Sequence, residues 1–195
     1  MIQDREALED FADALIDRAP EIERDVTRLK KTPGDRDLIA DLFRAIHNIK
    51  GDASLCKFDL AVAITHPIET LMARFREGAL PFSDLLAELI LLAVDRLELA
   101  TEAMLSHKSL EHLHLLPMIQ GLENMANASA DEIDQLGANI IEGVTGFRPV
   151  AGKAASRSPR ASVHHGNDKA TADDLQFFRS LALQLESRSP LFKGR

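Results

Sequence analysis

The feature that most constrains this chain is a helical apolar rhythm that recurs four times within its first 107 residues. Leu8, Phe11, Leu15, Ile22, Val26 and Leu29 follow one another at spacings of three, four and seven, which predicts an amphipathic helix over 3–30. Thr32-Pro33-Gly34-Asp35 then supplies a stop and a turn. A second helix is expected over 36–57, where Leu42, Ile46, Ile49, Ala53 and Cys56 form a single stripe at 4-3-4-3 spacing. Ala61, Ile64, Ile68, Leu71 and Phe75 predict a third over 60–77, closed by Gly78 and the Pro81 turn. The fourth, 83–107, opens with Ser83 as N-cap and is apolar around more than half its circumference, as a central bundle helix must be. Four such helices joined by short connections pair as antiparallel neighbours. The expected fold is therefore all-α: an antiparallel four-helix bundle with one or more additional helices toward the C-terminus.

Beyond the fourth helix the pattern weakens. A shorter fifth helix over 109–125 is expected to pack on the bundle end, and 129–145 can form another. Residues 148–170 are rich in Ala, Ser, Gly, Pro and Arg without apolar periodicity, which reads as a flexible linker. Leu175, Phe178, Leu181 and Leu185 restart a helical pattern over 172–187. The expected organisation is a bundle over 1–127, a helical extension over 128–147, the linker over 148–170, and a helix over 171–195 that could open a truncated output domain.

Charge divides the chain at the same place. Residues 1–147 carry 14 basic and 27 acidic groups, a balance of −13, which argues against nucleic acid as a partner. From 148 to 170 five basic residues face one acid. The single cysteine, Cys56, rules out an intrachain disulfide framework and a Cys-based zinc cluster. Its expected role is that of a small core hydrophobe. The N-terminus is charged from its fourth residue on, and the longest apolar stretch falls far short of the roughly 20 residues of a membrane span. A cytoplasmic protein without a membrane span is the expectation.

The chemistry concentrates in Leu42-Phe43-Arg44-Ala45-Ile46-His47-Asn48-Ile49-Lys50-Gly51-Asp52-Ala53-Ser54. On a helix His47, Lys50, Gly51 and Ser54 share one face, rotated by about 100° from the core stripe through Ile46. An exposed imidazole with a cation one turn away suits phosphoryl transfer, because a neutral ring nitrogen can attack phosphorus while Lys50 offsets the charge of the transferred oxygens. Glycine inside a helix costs about 1 kcal/mol relative to alanine. Its presence at Gly51 implies that something must approach the backbone closely.

His-x-x-Lys-Gly-x-Ala at 47–53, preceded by Leu-Phe-Arg-Ala, resembles the signature of histidine phosphotransfer (HPt) domains, particularly those of chemotaxis-type histidine kinases. Thr65-His66-Pro67-Ile68-Glu69-Thr70-Leu71-Met72 is similar to their third helix, and the resemblance covers most of 5–105. It implies a phosphoryl carrier in a two-component phosphorelay, not an enzyme with a catalytic domain of its own. His47 would take the phosphoryl group on Nε2, Glu69 would accept a hydrogen bond from the other ring nitrogen, and Lys50 and His66 would complete the reactive set. A carboxylate at Nδ1 would also fix the tautomer that leaves Nε2 free. The implied partners are a response-regulator receiver domain and a histidine kinase. No bound cofactor is expected, since Mg²⁺ would arrive with the receiver. Docking would cover an apolar patch around Gly51, Phe43 and Phe58, with Arg44, Ser54 and Lys57 around it.

Three departures from the family pattern bear on the site. Asp52 stands where a small residue is usual and adds negative charge. Leu55-Cys56-Lys57-Phe58 replaces a glycine-containing turn. Pro67 predicts a kink, or a fresh helix start near His66, and a kink would carry Glu69 away from His47.

Other readings are weaker. A metal site drawing on His47, His66 and Glu69 lacks the carboxylates usual in bundle centres, His112, His114, His164 and His165 read as solvated, and no nucleophile-elbow sequence supports a hydrolase. The segment from Leu181 to Arg195 resembles the opening of HD-GYP-type phosphohydrolase domains, but Arg195 stands where that family has a histidine. The principal rival is a bundle that keeps the HPt fold as a regulatory or scaffolding domain and transfers nothing.

Overall fold

The computed structural model describes residues 5–149, and every regular element among them is helical. In chain order these are α1 (Arg5–Lys31), α2 (Arg36–Leu55), α3 (Asp59–Arg76), α4 (Asp84–Leu105), a single 3₁₀ turn (Glu111–Leu113), α5 (Leu115–Ala126) and α6 (Ile133–Thr145). The first four boundaries follow local chemistry. Asp35 caps α2 by accepting from the backbone N–H groups of Asp37 and Leu38, and Ser83 caps α4 by accepting from Leu86 N–H. Each satisfies donors that a helix start leaves open.

The closures of α2, α3 and α4 share one geometry. After α2, Lys57 turns left-handed (φ 55°), its N–H reaches Ser54 O, and Phe58 N–H reaches Ala53 O at 2.7 Å. After α3 and α4, Gly78 (φ 77°) and His107 (φ 53°) occupy the same position in the same paired-bond pattern. Lys57 thus supplies without glycine the turn for which the sequence raised a question. The same closure swings Phe58 inward, where it is buried edge-on against Phe11 with ring centroids 5.2 Å apart. Phe58 is a core residue, and its expected place in a docking patch is corrected accordingly.

Ion pairs and ring contacts give the register. Arg18 pairs with Asp52 across α1 and α2, while His47 lies opposite Glu69 and Phe43 opposite Arg76 across α2 and α3. Residue numbers fall on α2 as they rise on α3, so the two run antiparallel. α1 lies between α2 and α4, and its stripe of Leu8, Phe11, Leu15, Ile22, Val26 and Leu29 is buried. The core also takes in α5 and α6, which form a hairpin with α5 against α3 and α6 against α4. Two glycines permit this close approach. A methyl group on Gly121 would lie 2.5 Å from Ile140 Cγ1, and one on Gly137 would lie 2.5 Å from Leu85 Cδ2.

Two sequence expectations need correction. The helix expected over 109–125 is broken: after the 3₁₀ turn His114 adopts φ 52°, and α5 begins only at Leu115. Pro117 explains the break, since it lacks the N–H that a helix through 109–125 would bond back to Leu113. A start at Leu115 puts it in the first turn, where N–H groups have no partner within the helix. Conversely, Pro67 neither ends nor restarts α3, which continues from Asp59 to Arg76 with the proline ring buried. The expected basic linker beyond Pro149, the helix over 172–187 and the segment resembling a phosphohydrolase opening lie outside the described residues. Among those described, no helix is long and apolar enough to cross a membrane.

Candidate functional site

The adjoining faces of α2 and α3 bring His47, Lys50 and Glu69 together. His47 projects from the interior of α2 with its side chain 56% exposed, whereas Glu69, from the interior of α3, is only 13% exposed. His47 Nδ1 lies 2.6 Å from Glu69 Oε1, and Lys50 Nζ donates to Glu69 Oε2. One carboxylate therefore holds both residues, through different oxygens.

The protonation state follows from that arrangement. Burial alone would raise the Glu69 carboxyl, but hydrogen bonds from His47 and Lys50, reinforced by charge, outweigh it and hold the group below the ordinary carboxylate value. An ionised carboxylate can only accept hydrogen bonds. Nδ1 is therefore the donor in this contact, and Nε2 is the ring nitrogen that Glu69 does not engage. The resting Lys50 ammonium is committed to Glu69 instead of standing free beside Nε2, as its sequence position alone suggested.

The remaining predicted residues divide. Gly51 lies one turn beyond His47 on the same face, and a methyl group there would meet no atom within 4 Å, so nothing among the described residues requires a glycine. Ser54 is exposed, with its hydroxyl donating to Lys50 O. Arg44 is exposed and pairs with Asp41, and Lys57 is exposed in the left-handed turn. His66 is exposed one turn before Glu69 and makes no hydrogen bond to the His47 ring; the structure does not join it to the central trio. Asp52, half-buried, is paired with Arg18, so its charge is met on the α1 side. Cys56 is a free, partly buried thiol packed against the core, its pKa raised chiefly by burial.

The structure adds two residues that the sequence reading missed, Arg76 and Arg18, and gives Phe43, already expected in the docking patch, a specific contact. Phe43 stacks near His47, with ring centroids 6.2 Å apart and planes 16° from parallel, and Arg76 Cζ lies 4.1 Å above the Phe43 ring. Arg76 follows Glu69 by seven residues, hence on the same side of α3, and that spacing was the available signal. No comparable signal linked Arg18 to Asp52, which are separated by 34 positions and joined only by packing. Leu55 is 82% exposed at the end of α2, eight residues beyond His47. Among the described residues, no group of three or more His, Cys, Asp or Glu side chains is arranged to hold a metal ion.

The chain is 28% identical over 91 residues to the sensor histidine kinase CheAY of Helicobacter pylori, covering 47% of this chain and 11% of that protein. It is 24% identical over 98 residues to the chemotaxis protein CheA of Treponema pallidum, covering 50% of this chain and 12% of the relative. The matched region is thus a small part of either relative's length. No solved structure matches the chain significantly. The profile of the Hpt domain matches residues 6–106, a span that contains α1 to α4 and the whole His47 site, and by that match the chain belongs to the Hpt-domain family, the phosphotransfer modules of two-component signalling.

Proposed function

We propose that this protein is a phosphoryl carrier that accepts and donates its group at His47 Nε2, in exchange with a receiver-domain aspartate or from a histidine kinase. The observation that carries the reading is the 2.6 Å contact between His47 Nδ1 and an ionised Glu69. It engages Nδ1 as a donor and leaves Nε2, in the neutral imidazole, as the ring nitrogen open to a phosphoryl donor.

The transfer step balances on these atoms. The Nε2 lone pair forms the N–P bond as the P–O bond to the aspartate breaks, and that bond's electron pair returns to the carboxylate. The Nδ1 proton stays in place, and Glu69 offsets the positive charge the ring acquires. Lys50 keeps Glu69 in position and close to the incoming oxygens. The open face at Gly51 admits the partner, with Phe43, Arg44, Ser54 and Lys57 around it. The protein acts as a substrate of its partners, and the receiver supplies the Mg²⁺ for the chemistry.

The test is to incubate the full chain with a radiolabelled phospho-receiver, or with an active histidine kinase and labelled ATP. Acid-labile, base-stable label should appear on the wild type and vanish in His47→Gln. A wild type that stays unlabelled across a panel of such donors would show instead a bundle that has kept the fold and lost the transfer.

A further inference from the structure

We propose that Arg76 is a positioning residue of the phosphoryl-accepting site, acting on the His47 ring through Phe43. The inference rests on the reading of His47 as the phosphoacceptor and adds a residue to that site. Glu69 holds the imidazole at one atom only, Nδ1. A side chain that is 56% exposed and fixed at a single point can still swing about that point, and the swing moves Nε2. A second constraint has to come from a neighbour.

Phe43 is the neighbour in place. It sits one turn before His47 on α2, partly buried, with its ring near-parallel to the imidazole. A phenyl ring by itself has a broad preference about its terminal torsion, so it steadies His47 only if something steadies it. The Arg76 guanidinium, 4.1 Å above its face, does so by attraction to the ring quadrupole. α3 thus holds the phosphoacceptor twice, directly through Glu69 and indirectly through Arg76 and Phe43.

The alternative role for an exposed arginine here is to meet an acidic partner surface. Phosphoramidate separates the two, because it is a small donor with no docking surface. Nε2 displaces its nitrogen, forming the N–P bond as the P–N bond breaks and ammonia leaves with the electron pair. If Arg76 positions the ring, Arg76→Gln slows labelling of His47 by phosphoramidate roughly 2- to 5-fold, the range expected for one exposed cation–π contact. Arg76→Lys should restore most of the rate, and Phe43→Leu should lose as much as Phe43→Leu/Arg76→Gln, because Arg76 has nothing to act on once the ring is gone.

A second readout needs no transfer at all: the NMR shifts of the His47 ring protons, which sense the Phe43 ring current, should move in Arg76→Gln. Wild-type phosphoramidate labelling together with unchanged His47 shifts in Arg76→Gln would overturn the proposal and leave Arg76 as a docking cation. Losses that simply add in the double variant would overturn it too. If the wild type accepts no phosphoryl group from any donor, the carrier reading itself fails, while the ring shifts still decide whether Arg76 governs the His47 ring.

Discussion

Replacing Gly51 by alanine should make the protein more stable and a poorer partner at once. The added methyl group meets no atom within 4 Å, so the fold incurs no packing penalty and gains the helix propensity that glycine forgoes, about 0.8–1 kcal/mol. For a domain of this size that raises Tm by roughly 3–4 °C. The methyl points from the His47 face toward whatever docks there, and overpacking a close interface costs about 1–3 kcal/mol. At 1.36 kcal/mol per tenfold, kcat/KM for transfer from a phospho-receiver should fall roughly 5- to 150-fold. Urea titration and thermal melts measure the first effect, and single-turnover transfer from a labelled receiver measures the second. Labelling by phosphoramidate should fall far less than labelling by the protein donor. A variant that is less stable than wild type would refute the open-space argument, and one that is more stable but transfers at the wild-type rate would refute the access argument.

Glu69→Gln should slow transfer by about 10- to 100-fold while the bundle stays folded, since the amide can still accept from Nδ1 but no longer offsets charge. Its stability deficit should depend on pH. The folded Glu69 carboxyl lies below its ordinary value, so the wild-type advantage is full above the unfolded carboxylate pKa of about 4.3 and disappears as pH falls through the lower folded value; urea titrations at neutral and acid pH that give an equal gap would contradict this. Gly121→Ala should destabilise by about 1–2 kcal/mol despite its better helix propensity, because the methyl would lie 2.5 Å from Ile140 Cγ1. Trimming Ile140 to alanine should cost less in that background than in wild type, and additive losses in denaturant midpoints would show that α5 and α6 do not meet as described.

The sequence told most where a signal was local. Ser83 marked a helix start, Thr32-Pro33-Gly34-Asp35 marked the turn before α2, and the apolar stripes marked which faces are buried, because propensity, capping and period all act within a few residues. His47, Lys50 and Gly51 could be grouped on one face for the same reason. At Pro67 the fresh helix start was the wrong alternative: α3 runs through the buried proline without a break, and Glu69 stays 2.6 Å from His47. Phe58 misled because its direction depends on the left-handed turn at Lys57, a conformation a lysine does not advertise. Pro117 carried a local signal that could have been used, since its missing N–H fixes where α5 can begin. The pairing of Arg18 with Asp52 exists only once helices are packed, and no periodicity within one element encodes it.

The three central residues of the site rise from the middles of two helices, His47 and Lys50 from α2 and Glu69 from α3, with none on a loop. The backbone that carries all three is therefore helical, and the site is the seam between two adjoining antiparallel helices. Under the proposed carrier role, regulation would fall to the partners that load and unload this surface.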